Sequence, residues 1–266
     1  MKNIDYILRN DLAVQNRKYK KINTYIQNDI KVEEYIYKEF SFVDVFFKNV
    51  ETNKSKNVLK GILISELKKI MKKYALKKSD SCLVVGLGNK NIISDALGPK
   101  TSENIIATGY FELLNIADYR NVYAYVPGTT KESGMEPFKG VKALVKELRP
   151  SFVIIIDSLV CSHIKYLNSV VQISDYGIRP GSGLTNYSKD ISLDTIGIPV
   201  FVMGVPTATF ASTIIRDVMN VKKSHISFKE GYDFMVVAYD VDLIINTLGK
   251  IVGDAINKVL NNYQNF

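Results

Sequence analysis

Residues 82–87, Cys-Leu-Val-Val-Gly-Leu, limit what this chain can fold into more than any other stretch. A short apolar run rich in β-branched residues and broken by glycine reads as a buried strand. Gly86 and Gly88 let the backbone turn sharply where a Cβ would clash. The polar stretch 89–94 follows, then Asp95 within Asp-Ala-Leu-Gly-Pro, with a helical pattern from about Lys100 to Leu114. An acidic side chain therefore sits in a loop just past a buried strand, where ligands collect in an open α/β sheet. A second apolar run, Phe152–Asp157, ends in another aspartate. A carboxylate at the end of so apolar a strand must be paired, solvated at the sheet rim, or functional.

The same grammar repeats along the chain. Strands are expected at Val122–Val126, Val170–Ser174 and Ile198–Val205, with the last broken at Pro206-Thr207 and a helix running from there to Met219. Helices are expected at Pro137–Leu148 and at Tyr239–Leu260. Strands alternating with helices imply a central, mostly parallel, twisted sheet with helices on both faces. Residues 30–38 and 41–48 add a small N-terminal β-rich layer, and Val58 to Tyr74 carries apolar residues at helical spacing among lysines. Residues 1–28 are polar and Asn-rich and read as a mobile arm, leaving 29–266 as one α/β domain.

Several function classes are disfavoured. Asn91 stands where a dinucleotide fingerprint needs its third glycine, and no P-loop lysine follows. Two histidines and two cysteines, without C-x-x-C or H-E-x-x-H, give no metal site and no cofactor is expected. No apolar run is long enough to span a bilayer, so no membrane partner is expected. The net charge of +8 lies wholly in residues 1–80, which hold 18 Lys and Arg against 10 Asp and Glu. That excess is either a solvated face or an attractor of an acidic partner.

Taken together, the motifs resemble the germination protease family of spore endopeptidases. They are Gly86–Asn89 with Asp95–Pro99, Ile154–Asp157, Gln172–Gly183 and Leu193–Thr207. Arg9 to Val14 is similar to the family's propeptide junction, with Asn10 in place of the usual threonine. His163 stands where the family usually has arginine, and Phe210 where an aspartate is usual. The chain is also shorter than a typical member. The resemblance implies a fold like that of hydrogenase-maturation endopeptidases. It implies cleavage of small acid-soluble, DNA-binding spore proteins during germination, within the cytoplasm of the forespore or spore core. It further implies a zymogen activated by cutting between Asp11 and Leu12 to release a propeptide of residues 1–11, a homotetramer, and catalytic aspartates at Asp95 and Asp157. Nucleic acid would be met only indirectly, through the substrate.

Read from the residues alone, two carboxylates can activate water and protonate a leaving nitrogen without a metal. A Ser182–His163 pair is the weaker option, because Ser182 does not fit the G-x-S-x-G elbow. Cys161 lies among apolar neighbours that raise a thiol pKa. The glycine-rich loop with Gly181, Ser182 and Gly183 offers backbone N–H groups for an oxyanion. The alternative reading is a catalytically inactive paralogue that binds nucleic acid or spore protein through its basic N-terminal third.

Overall fold

A computed structural model describes residues 3–4, 12–16, 18–48, 50–114, 119–181, 188–219, 228–229 and 234–261. The elements in chain order are β1 (Asn3–Ile4), β2 (Lys20–Gln27), β3 (Ile30–Tyr37), β4 (Phe40–Phe46), α1 (Asn53–Met71), β5 (Cys82–Gly86), α2 (Leu97–Ser102) and β6 (Val122–Tyr125). There follow α3 (Thr130–Ser133), α4 (Pro137–Leu148), β7 (Phe152–Cys161), β8 (Val170–Ser174), α5 (Leu193–Ile196), β9 (Val200–Phe210), α6 (Ala211–Met219), β10 (Phe228–Lys229), β11 (Met235–Val236) and α7 (Val241–Asn261).

The main sheet runs β2-β3-β4-β8-β9-β7-β5-β6, with β11 also on β9, while β1 and β10 pair separately. Strands β6, β5, β7 and β9 are mutually parallel, and the remaining pairings are antiparallel. The expected α/β architecture is present. The N-terminal β-rich stretch, expected as a separate layer, instead continues the same sheet, because β4 pairs with β8.

Both faces of the parallel part are buried, which is why its strands read as unbroken apolar runs. Cys82, Val84, Ile154, Ile156, Phe201 and Met203 face one core beneath α1 and α7. Leu83, Val85, Val153, Ile155, Val200 and Val202 face the other, beneath α4. Helix α1 starts where the Thr52 hydroxyl accepts the Ser55 N–H at 3.1 Å, and buries Leu59, Leu63, Leu67 and Ile70 on one stripe.

Four expectations are corrected. Residues 12–16 and 18–28 are not a mobile arm: Lys20–Gln27 form edge strand β2, and Leu12 and Ala13 are buried. An edge strand exposed on both faces shows no apolar alternation, so its sequence looks like an arm. Asp157 does not end its strand, because β7 runs on to Cys161 and buries Leu159 and Cys161 against Leu12 and Val170. Pro206 does not end β9: Leu159 pairs with Pro206 and Val160 with Ala208, so Thr207 is an extra residue in a bulge. A bulge is where a strand tolerates a residue without an N–H. Lastly, the helix expected from 100 to 114 stops at Ser102, and Gly109–Leu114 forms a separate 3-10 turn. Asn257 on α7 closes the intervening turn, taking the Ile106 N–H at 2.9 Å and donating to the Asn104 carbonyl at 2.8 Å.

Candidate active site

The loop that carries Asp95 is folded back on its own strand by close backbone approach. A Cβ on Gly86 would overlap the Gly98 carbonyl, and one on Gly98 would overlap the Leu87 carbonyl. Gly88 sits at φ 113° with its Cα against the Asp95 backbone, a conformation that favours glycine. The Asn89 N–H then donates to Asp95 Oδ2 at 2.8 Å. From the other side, the Thr207 hydroxyl at the β9 bulge donates to the Ser94 carbonyl at 2.5 Å. Asp95 is thus clamped between the end of β5 and the bulge of β9.

Asp157 stands in the middle of β7 with 7% of its surface exposed, and its Oδ1 accepts the Ser158 N–H at 2.9 Å. Asp95 and Asp157 line one cavity of about 580 Å³. Burial pushes the Asp95 carboxyl up to about 6; the Asn89 N–H pulls against this, and the charge of Glu132 adds to it. A carboxyl tuned so far upward can hold a proton close to neutral pH, as a general acid must.

The remaining wall comes from the antiparallel half. Tyr19, Phe40, Phe42 and Tyr176 line the cavity, with Tyr19 stacked on Phe42 at 4.4 Å and Tyr176 edge-on to Phe40 at 5.1 Å. Of the N-terminal aromatic side chains, Phe40 and Phe42 are thus spent on this wall, and Tyr35 and Phe42 are only 4% exposed. Lysines of the basic N-terminal third are tied into ion pairs with buried acids. Lys21 and Lys31 meet Glu33, Lys69 meets Glu34, and Lys73 meets Asp175.

Register places a polar row across one face of the sheet. Glu33 pairs with Asp44, Asp44 with Gln172, Gln172 with Gly204, and Gly204 with Asp157. The segment from Leu12 lies on this row. The Ala13 N–H donates to Gln172 Oε1 at 2.6 Å, the Val14 N–H to Asp44 Oδ2 at 2.8 Å, and the Ser162 N–H to Gln15 Oε1 at 3.1 Å. Burial pushes Asp44 up to about 7 despite the Val14 N–H.

The other expected site residues are scattered. Gly181 lines the cavity. Ser182, Gly183 and Asp11 fall outside the described residues. His163 is not among the cavity-lining residues; its Nδ1 lies 3.0 Å from Asp217 Oδ1 on α6. The Cys161 thiol is buried and pushed up to about 11 by that burial. Among the described residues, no three His, Cys, Asp or Glu side chains gather as a metal site, and no helix is long and apolar enough to cross a membrane. Gln172 was not singled out by the sequence reading. Its signal was a long polar side chain inside the buried run Val-Val-Gln-Ile-Ser.

A family model described as germination protease matches residues 3–230. The chain is 32% identical over 254 residues to the germination protease of Oceanobacillus iheyensis, covering 84% of this chain and 69% of that one. It is 39% identical over 169 residues to the germination protease of Bacillus subtilis, covering 62% of this chain and 46% of that one. The chain thus spans about half the length of the Bacillus subtilis relative. Among solved structures, a NiFe hydrogenase maturation protease from Thermococcus kodakarensis aligns with a TM-score of 0.33 and 14% identity, over 66% of this chain and 92% of that one.

Proposed function

Because the chain belongs to the germination protease family, we propose that it is an endopeptidase that starts the breakdown of small acid-soluble spore proteins during germination, with Asp95 and Asp157 as its reacting groups. The observation that carries this reading is that the two aspartates, 62 residues apart in the numbering, line the same cavity while burial holds the Asp95 pKa near 6. In the proposed step, ionised Asp157 takes a proton from water as the water oxygen bonds to the peptide carbonyl carbon. Protonated Asp95 then gives its proton to the amide nitrogen as the C–N bond breaks. The step leaves Asp157 protonated and Asp95 ionised, and proton exchange with solvent resets the pair.

The activation step belongs to the same proposal. Residues 1–11 are removed by a cut between Asp11 and Leu12, and the mature enzyme assembles as a homotetramer in the spore core. The buried state of Leu12 and the bonds of Ala13, Val14 and Gln15 support a cut that leaves residues 12–15 docked on the sheet. The test is incubation of the mature protein with a purified small acid-soluble spore protein, followed by mass spectrometry of fragments. Internal cleavage that disappears in Asp95→Asn and Asp157→Asn is expected. An intact substrate, or undiminished cleavage by folded variants, would overturn the reading. N-terminal sequencing should find Leu12 first.

A further inference from the structure

We propose that Thr207 is a positioning residue for the proposed reaction, its hydroxyl holding the Asp95 carboxyl in place relative to Asp157. The inference rests on the reading of Asp95 as the proton donor, and names the group that fixes it. The Thr207 hydroxyl donates to the Ser94 carbonyl at 2.5 Å. That carbonyl belongs to the peptide unit joining Ser94 to Asp95, and the N–H of the same unit donates to the Ile92 carbonyl at 2.8 Å. A peptide unit is planar, so a bond at each end fixes the plane from which Asp95 projects. Beyond it, the Asn89 N–H holds Asp95 Oδ2 at 2.8 Å. The Asp95 carbonyl backs onto Gly88 so closely that a Cβ there would overlap it.

Gly88, Asn89 and Ile92 belong to the loop that carries Asp95 and can shift together with it. Thr207 does not: it lies 113 residues from Ser94 in the chain. It stands on β9, the strand whose Gly204 pairs with Asp157. The Thr207 bond therefore ties the loop of one aspartate to the ladder that carries the other. The bulge gives it a fixed base. Leu159 pairs with Pro206 and Val160 with Ala208, which leaves Thr207 as the extra residue. On one side of it the Pro206 carbonyl accepts the Asn168 N–H at 2.8 Å, and on the other the Thr209 hydroxyl donates to the Cys161 carbonyl at 2.8 Å. Thr207 is 1% exposed and lines the same cavity as both aspartates. Reacting groups must be held within about 0.5 Å of their productive geometry, and a misplacement of about 1 Å can cost 100-fold in rate.

Two variants test this on the mature protein, with a purified small acid-soluble spore protein as substrate. Thr207→Val keeps the β-branched shape and loses the donor, whereas Thr207→Ser keeps the donor. Thr207→Val should lower kcat per folded molecule by about 10- to 100-fold, with KM within a few-fold. Its crystal structure should show the Asp95 carboxyl displaced relative to Asp157. Thr207→Ser should keep kcat and the Asp95 position near wild type. If the bond only stabilises the fold, Thr207→Val will lower the thermal midpoint but leave kcat per folded molecule unchanged. That result overturns the proposal, as does a Thr207→Ser protein as slow as Thr207→Val, which would assign the loss to the methyl group. The two readings fail separately. Wild-type kcat in Thr207→Val beside an inactive Asp95→Asn removes Thr207 alone. Undiminished cleavage by Asp95→Asn beside a displaced Asp95 in Thr207→Val keeps the tie and removes Asp95 as the proton donor.

Discussion

Asp95→Asn should make the protein more stable at neutral pH while removing its chemistry. The carboxyl is pushed from 3.8 to about 6, chiefly by burial. The folded chain therefore holds this proton more tightly than the unfolded chain. The group is neutral in both states well below pH 3.8, and above about pH 6 the fold must carry a partly buried charge. Stability attributable to Asp95 falls across that window and is level beyond it. At about 1.4 kcal/mol per pKa unit the full shift amounts to roughly 3 kcal/mol, and partial solvent exposure brings a realistic figure to about 2 kcal/mol. Asparagine keeps an oxygen for the Asn89 N–H and carries no charge. In a chain of this size the gain should raise the thermal midpoint by about 4–8 °C at pH 7.5. Thermal unfolding followed by circular dichroism at pH 4 and pH 7.5, on both proteins, measures it. Most of the difference should be gone at pH 4. An equal difference at both pH values, or an Asn variant less stable at pH 7.5, would refute burial of the charge as the cause.

Asp95→Asn and Asp157→Asn should each reduce the cleavage rate by at least about 100-fold, and the double variant by little more, because the two act as a unit. Independent, multiplying losses in single-turnover assays would contradict that. Gly98→Ala forces a Cβ into the Leu87 backbone and should cost about 1–3 kcal/mol in urea unfolding; an unchanged midpoint would show that the Asp95 loop has slack. If the exposed lysines of residues 1–80 recruit acidic substrate, rising salt should depress the rate at low substrate far more than saturating turnover, since surface charges act over about 8 Å at physiological salt. Equal salt sensitivity of the two rates would count against recruitment.

The parts of this fold that could be read from sequence are those whose burial is local in the chain. Strands β5 and β7 and helix α4 carry their own apolar pattern, so Cys82–Gly86, the start of β7 and Pro137–Leu148 are visible without knowing their neighbours. Asp95 was visible because glycines mark the turn before it. What was hidden depends on pairing. Strand β2 has no buried face to betray it. Pro206 reads as a strand end unless the bulge opposite Leu159 and Val160 is known. The Ala13 N–H and the Gln172 oxygen that accepts it are 159 residues apart, and nothing local in either stretch points to the other.

Strand direction explains why the site sits where it does. Loops after parallel strands gather at one rim, but β8 runs antiparallel to β9, with Gln172 opposite Gly204 and Ser174 opposite Val202. The chain after Ser174 therefore leaves toward the start of β9. Yet Tyr176, Gly177 and Ile178 line the same cavity as Asp157, in the middle of β7. The cavity thus lies over the face of the sheet, where its parallel and antiparallel halves meet, with Ile92, Ser94 and Asp95 reaching it from the loop after β5 and Tyr176 to Ile178 from the chain after β8. That placement has a consequence for how the site can change. A rim site is remodelled by altering loops, whereas this row of Asp44, Gln172 and Asp157 is set by register. Slipping β8 by one residue would turn Gln172 to the opposite face, into the core beneath α1 and α7. Substitutions that loosen β8 pairing should therefore damage the site even when they leave every cavity-lining side chain unchanged.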